Sequence, residues 1–353
     1  MIIKNILSFV VSIISFIILQ LFFLSNSNSE QNNIKYYSND NGILSLMYHR
    51  FNENKYPSTN IRMNMFKDQM QIIKDLDYNF SDPNLFVTKF DKPKSKKEIL
   101  ITIDDGFKSF YTEAWPYLKK NKIPFILFIS TEPVGKKGYM NWNEIKEIEK
   151  MDFTMIGHHS HTHEYLIDMI NSDFVKDIET ATKIFKEKLG YVPEIFSYPF
   201  GEYSKYMKEY ISKNFKIAFG QHSGVIDINK DKFELPRFPI NEKYGDLKRF
   251  KSLINYLPLE YKVLKPEQKK INERDNPPKI IIEFFPEQKN IKRINCYSND
   301  GGEWNKSGLK FQEQTLEINF KKKFLPRRGR INCSLNDNGK WRWFGVQFPI
   351  QEN

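Results

Sequence analysis

Between residues 42 and 257 the chain alternates short apolar runs with amphipathic stretches, and few architectures accept that rhythm. The runs 43–48, 98–103, 125–130, 154–157, 195–198 and 217–220 have the length and composition of strands. Between them lie helix signals. Residues 64–76 put Phe66, Met70, Ile73 and Leu76 on one face, and 172–189 opens on Ser172-Asp173 and stops at Gly190, an N-cap and a C-cap. Strands that alternate with helices predict an α/β protein, with parallel strands and helices outside them in a wound sheet or a barrel.

The pattern changes after residue 260. The stretch 261–278 is rich in Lys, Glu, Gln, Asn and Pro and reads as a linker. Beyond it, 279–285, 316–320, 330–335 and 341–348 are short alternating runs separated by the turn signals 299–302 and 336–339, which predicts a small all-β, sandwich-like domain over 279–353. In 341–348, Trp alternating with Arg reads as one core face and one solvated face.

The first 33 residues carry an address. Lys4 precedes a nearly continuous apolar run, 6–24, and a polar spacer follows to Asn33. The run is read as an uncleaved membrane anchor, with a signal peptide as the alternative. Either reading puts the rest of the chain outside the cytoplasm, in the periplasm or cell envelope. In an exported protein the only two cysteines, Cys296 and Cys333, are expected to pair. Of the net charge of +11, +8 lies in 261–353, where 19 Lys and Arg face 11 Asp and Glu. No nucleic-acid motif accompanies that charge, so it reads as a solvated basic face rather than a nucleic-acid surface.

Two dense motifs carry the chemistry. Asp104-Asp105-Gly106 follows an apolar strand, at the kind of strand end where α/β proteins gather functional groups. Adjacent carboxylates repel unless a cation or donor offsets them, which suits one to a metal and leaves the other as a base. Four of the six histidines then fall at 158, 159, 161 and 163. His159 and His163, four apart, would share a face of a helical turn and supply two ligands, with His158 and His161 flanking them. Two histidines and one aspartate leave coordination positions open, as in a catalytic site.

These segments resemble the first motifs of the polysaccharide deacetylase (NodB-homology) family, carbohydrate esterase family 4. Residues 196–201, Phe-Ser-Tyr-Pro-Phe-Gly, resemble that family's Arg-x-Pro-Tyr-Gly region. Met47-Tyr48-His49 and Leu235-Pro236-Arg237 are similar to segments of its poly-N-acetylglucosamine deacetylase branch, in which the histidine strand comes first, as if circularly permuted. The motifs run in order from residue 42 to about 240. The resemblance implies a distorted, permuted (β/α) barrel over 34–260, followed by the β domain. It implies Asp105, His159 and His163 as ligands of a divalent metal, zinc by default, with nickel, cobalt or iron also accepted by such donors. It makes Asp104 the base, His49 the acid and the Phe200 backbone N–H an oxyanion donor. Ser197 departs from the family, many of whose members carry there an Arg that contacts the catalytic aspartate; Arg237 is the candidate to replace it. The C-terminal domain resembles the β-rich tail of some periplasmic deacetylase-like proteins.

The activity so implied is removal of N-acetyl groups from an amino-sugar polysaccharide of the envelope, beside a synthesis or export machine. The alternatives are a deacetylase of a lipid-linked amino sugar and an idle glycan-binding module.

Overall fold

The computed structural model describes residues 42–94, 96–288 and 290–350. The N-terminal apolar run lies outside them, and among the described residues no helix is long and apolar enough to cross a membrane.

Eight strands form one parallel sheet: β1 (Ile43–Tyr48), β2 (Asn79–Phe80), β3 (Glu98–Ile103), β4 (Phe125–Ile129), β5 (Thr154–His158), β6 (Ile195–Ser197), β7 (Ile217–Phe219) and β8 (Phe238–Pro239). Their spatial order is β8-β1-β3-β4-β5-β6-β7, with β2 beside β3. Every residue of β1 and β4 is buried. That is why these strands read as continuous apolar runs: a parallel sheet is covered on both faces. The parallel sheet with helices in its connections is the α/β arrangement that the alternating runs predict.

Register sets the site. Tyr48 pairs with Ile103, so His49 and Asp104 leave adjacent strands at the same end, and the Asp104 N–H donates to the Tyr48 carbonyl at 2.9 Å. Ile129 pairs with His158, and the His159 N–H donates to the Ile129 carbonyl. Met47 pairs with Pro239, which brings Arg237 to the edge of β1.

Helix α1 (Met63–Asp75) buries Met63, Phe66, Met70 and Ile73, but Leu76 is exposed because the helix ends before it. Helix α2 (Asn171–Leu189) begins one residue before the expected cap, and no side chain caps it; Ile170 occupies the cap position. Its other end is as expected, with Gly190 left-handed at φ 87°.

The stretch 261–278 is not a free tether. Val263–Lys265 forms β10, paired with β11 (Ile280–Glu283), and the Lys270 ammonium donates to the Ile167 carbonyl at 2.7 Å. Its polar composition hides a strand whose backbone groups are satisfied in the sheet. With β9 (Leu257–Pro258), the C-terminal region makes two sheets. Their further strands are β12 (Asn295–Ser298), β13 (Asn305–Lys306), β14 (Gly308–Gln312), β15 (Thr315–Asn319), β16 (Arg328–Asp337) and β17 (Lys340–Pro349). One sheet has the order β9-β17-β16-β12-β13 and the other β10-β11-β15-β14. Cys296 and Cys333 form a disulfide across β12 and β16.

The Trp/Arg alternation on β17 is inverted relative to expectation. Arg342 is buried, donating to Asp337 and to the Pro258 carbonyl, whereas Trp341 is exposed. The buried guanidinium is tolerated because the Asp337 carboxylate of β16 and the Pro258 carbonyl of β9 accept from it.

The disulfide closes a 37-residue separation, for which loop-closure entropy gives roughly 2–4 kcal/mol. Replacing both cysteines by alanine should lower the unfolding free energy from a urea titration, followed by tryptophan fluorescence, by that amount, and should steepen the unfolding slope because the unlinked chain exposes more surface.

Candidate active site

Arg237 organises the centre of the site. Its side chain is fully buried and all five of its N–H donors are used. Nε donates to the Gly220 carbonyl, one terminal nitrogen to Thr102 Oγ1 and Asp104 Oδ1, and the other to Asp104 Oδ2 and Ser197 Oγ. The two bonds to Asp104 measure 2.7 and 2.8 Å, a parallel fork. A small Ser197 gives this guanidinium room and an acceptor. Burial alone would raise the Asp104 carboxyl, but Arg237, with His159 and His49, holds it below its ordinary value. Asp104 is therefore ionised although buried.

Asp105 adopts a left-handed φ of 73° and turns away from its neighbour. Its Oδ1 lies 3.3 Å from His159 Nε2 and 3.0 Å from His163 Nε2. One ligand atom from each of the three residues lies within 4.8 Å of the others. Asp105 Oδ1 and His159 Nε2 are buried without a hydrogen-bond partner. Orphaned lone pairs converging from a carboxylate and imidazoles are what a divalent cation would satisfy, so the residues fit one. His159 Nδ1 sits 2.7 Å from the Ser197 carbonyl, so that nitrogen carries the proton and Nε2 is left as a donor to metal. Burial opposes the charged forms here too, but the imidazoles hold Asp105 well below the usual carboxylate range. Asp105 in turn raises His163.

The histidine pair does not sit on a helical turn. It lies on the loop after β5, where Ser160 and His163 take φ 71° and 57° and the His163 N–H donates to Ser160 Oγ. This loop is held by Asp177, which accepts from the His161 and Thr162 N–H groups at 2.8 and 3.0 Å and from the Thr162 hydroxyl at 2.7 Å. Asp177 carries no motif. Its signal was an acid on the apolar stripe of α2, among Phe174, Ile178 and Ala181. His158 packs against Phe185, Phe196 and Phe215, and burial pushes it down to about 3; His161 meets Thr131. Neither points at the centre.

His49, half-buried, follows β1 and feels the charges of Asp105 and Asp104. Burial lowers its imidazole and the two carboxylates oppose that. Phe200 is left-handed at φ 59°, and its ring meets that of His163 edge-on at 4.9 Å. Of nine non-glycine residues with positive φ among those described, Asp105, Ser160, His163 and Phe200 are in this site. Such clustering marks a constellation fixed by its surroundings.

Residues 91–216 match the family model described as polysaccharide deacetylase. The chain carries a polysaccharide deacetylase domain. A putative polysaccharide deacetylase of Bacillus subtilis, YxkH, is 28% identical over 163 residues, covering 45% of this chain and 57% of the relative, so the chain spans little more than half of that protein. A poly-beta-1,6-N-acetyl-D-glucosamine N-deacetylase of Staphylococcus aureus is 24% identical over 232 residues, covering 58% and 80%. Among solved structures, IcaB from Ammonifex degensii superimposes with a TM-score of 0.54 at 24% identity, covering 61% of this chain and 98% of that one. The Streptococcus pyogenes deacetylase PplD gives 0.53 at 20% identity, covering 58% and 95%. These two likenesses show the deacetylase-type fold.

Two outcomes follow from the geometry. Arg237→Met should cost about 3–5 kcal/mol, because it strands a buried charge, and Arg237→Met with Asp104→Asn should recover part of that in denaturant titrations. Asp177→Ala removes the acceptor for two loop amides, each charged bond being worth about 1.5–3 kcal/mol. Hydrogen exchange at His161 and Thr162 should accelerate by about tenfold or more, with the α2 amides unchanged.

Proposed function

We propose that this protein hydrolyses N-acetyl groups of an amino-sugar polysaccharide in the cell envelope, using a divalent cation, zinc by default, held by Asp105, His159 and His163. One observation carries the reading: a converging Asp/His/His set with orphaned ligand atoms lies beside a second, ionised aspartate at one end of the parallel sheet. The staphylococcal relatives guide the substrate, a β-1,6-linked poly-N-acetylglucosamine. The N-terminal apolar run supports anchoring at a membrane, with the domain outside the cytoplasm near glycan synthesis or export machinery.

A bound divalent cation would supply Lewis acidity to the acetamide carbonyl and to water. Asp104, ionised and oriented by Arg237, takes a proton from the attacking water as its oxygen bonds to the carbonyl carbon. The Phe200 backbone N–H donates to the carbonyl oxygen as negative charge gathers there. His49, on the next strand, delivers a proton to the amide nitrogen, because an amine leaves only when protonated. The C–N bond then breaks to give acetate and a free amino sugar. Ser197 keeps His159 in the tautomer that binds metal, and Asp177 keeps the histidine loop in register.

The test is acetate release from an acetylated β-1,6-glucosamine oligomer and from a chito-oligomer, with added zinc, cobalt or nickel. Asp104→Asn should bind metal stoichiometrically and lose turnover by at least about a hundredfold. His163→Ala should lose the metal. Strong activity in Asp104→Asn would remove it as the base, and silence of the metal-loaded wild type on both oligomers would defeat the substrate assignment.

A further inference from the structure

We infer that the C-terminal β domain is a structural part of the active site, with Gln347, Arg327 and Arg328 acting as positioning residues for the Phe200 wall and, through it, for His163. The inference rests on the deacetylase reading only in so far as its effect is read as turnover.

Phe200 needs an external support. A left-handed phenylalanine costs about 1–3 kcal/mol and persists only where its surroundings hold it. The support comes from across the domain boundary. Gln347 of β17, itself buried, donates its amide nitrogen to the Phe200 carbonyl at 3.1 Å. Arg330 of β16 donates to the Gln347 amide oxygen at 3.2 Å, which fixes which end of the amide faces Phe200.

A second support grips two residues further on. Glu202 is 2% exposed, and Arg327 and Arg328 reach its two oxygens at 3.0 and 2.8 Å. Arg327 also meets Asp168 at 2.7 Å and lies over the Tyr165 ring, 3.5 Å from its centroid. Tyr165 stacks on Phe200 at 4.1 Å, and Phe200 abuts His163. The path from Arg327 through Tyr165 and Phe200 to His163 is therefore continuous packing.

The docking has no slack. A Cβ on Gly345 of β17 would fall 2.1 Å from the Ser223 carbonyl, and Trp343 donates to Ser223 Oγ while stacking on Tyr256 at 5.0 Å. A surface built to bind glycan as a separate module would not bury these side chains against the catalytic fold.

The test compares Gln347→Leu, Arg327→Ala, Arg327→Lys and Tyr165→Ala with wild type. Tyr165 is partly exposed, so its variant keeps the comparison valid if a buried substitution fails to fold. Two readouts are taken: kcat and KM for acetate release, and the ring-proton NMR shifts of His163, assigned by their loss in His163→Ala and sensitive to the ring current of Phe200. Gln347→Leu, Arg327→Ala and Tyr165→Ala should each shift the His163 signals. Gln347→Leu and Arg327→Ala should lower kcat by about ten- to a hundredfold with KM within about twofold, and Arg327→Lys should recover most of the loss. Unmoved His163 signals in the folded variants would overturn the inference. If the wild type released no acetate, the deacetylase reading would fail, while the His163 shifts would still decide the positioning role.

Discussion

The pair between Arg237 and Asp104 governs the rest of the site. Both side chains are fully buried, and a carboxylate in that position would take up a proton or destabilise the fold without a partner of matched geometry. The guanidinium meets it with two parallel bonds and spends its other three donors on Gly220, Thr102 and Ser197. Those three acceptors lie on or beside β7, β3 and β6, so one cation ties strands distant in sequence. The Ser197 carbonyl then orients His159, so the arrangement that keeps Asp104 ionised also sets the tautomer of the neighbouring imidazole.

The parallel register explains why so few residues suffice. Strands in phase end together, and the residue after each end faces the same crevice. His49, Asp104 and His159 each follow a strand of this sheet directly, and Asp105 and Phe200 lie within a few residues of one. The functional groups therefore differ in sequence position by more than a hundred residues while sharing one end of the sheet.

Much of this was legible in the sequence because it depends on local pattern. The strand runs, the Asp-Asp-Gly turn and the histidine cluster announce themselves, and the serine at 197 leaves a place for an arginine that Arg237 fills. What escaped depends on tertiary context. Asp177 stands on the apolar stripe of its helix with nothing in the pattern to name its partners, which are the His161 and Thr162 amides of the histidine loop. The strand at 263–265 was masked by Lys, Gln and Pro, since its partners lie elsewhere in the chain. Arg342 and Trp341 exchanged roles because Asp337 and the Pro258 carbonyl give the buried arginine its acceptors, and the strand alternation does not encode where those lie. The helical turn expected for the histidine pair gave way to two left-handed residues, a geometry that spacing alone does not disclose.

The bond between Gln347 and Phe200 joins residues 147 apart, and that between Arg237 and Asp104 joins residues 133 apart. Contacts of such separation form late, because much chain must be ordered before they return any energy. The constellation is therefore complete only when the strand at the far end of the described chain is in place. A chain clipped before β17 would own every motif residue and still lack the Gln347 amide that holds the Phe200 carbonyl.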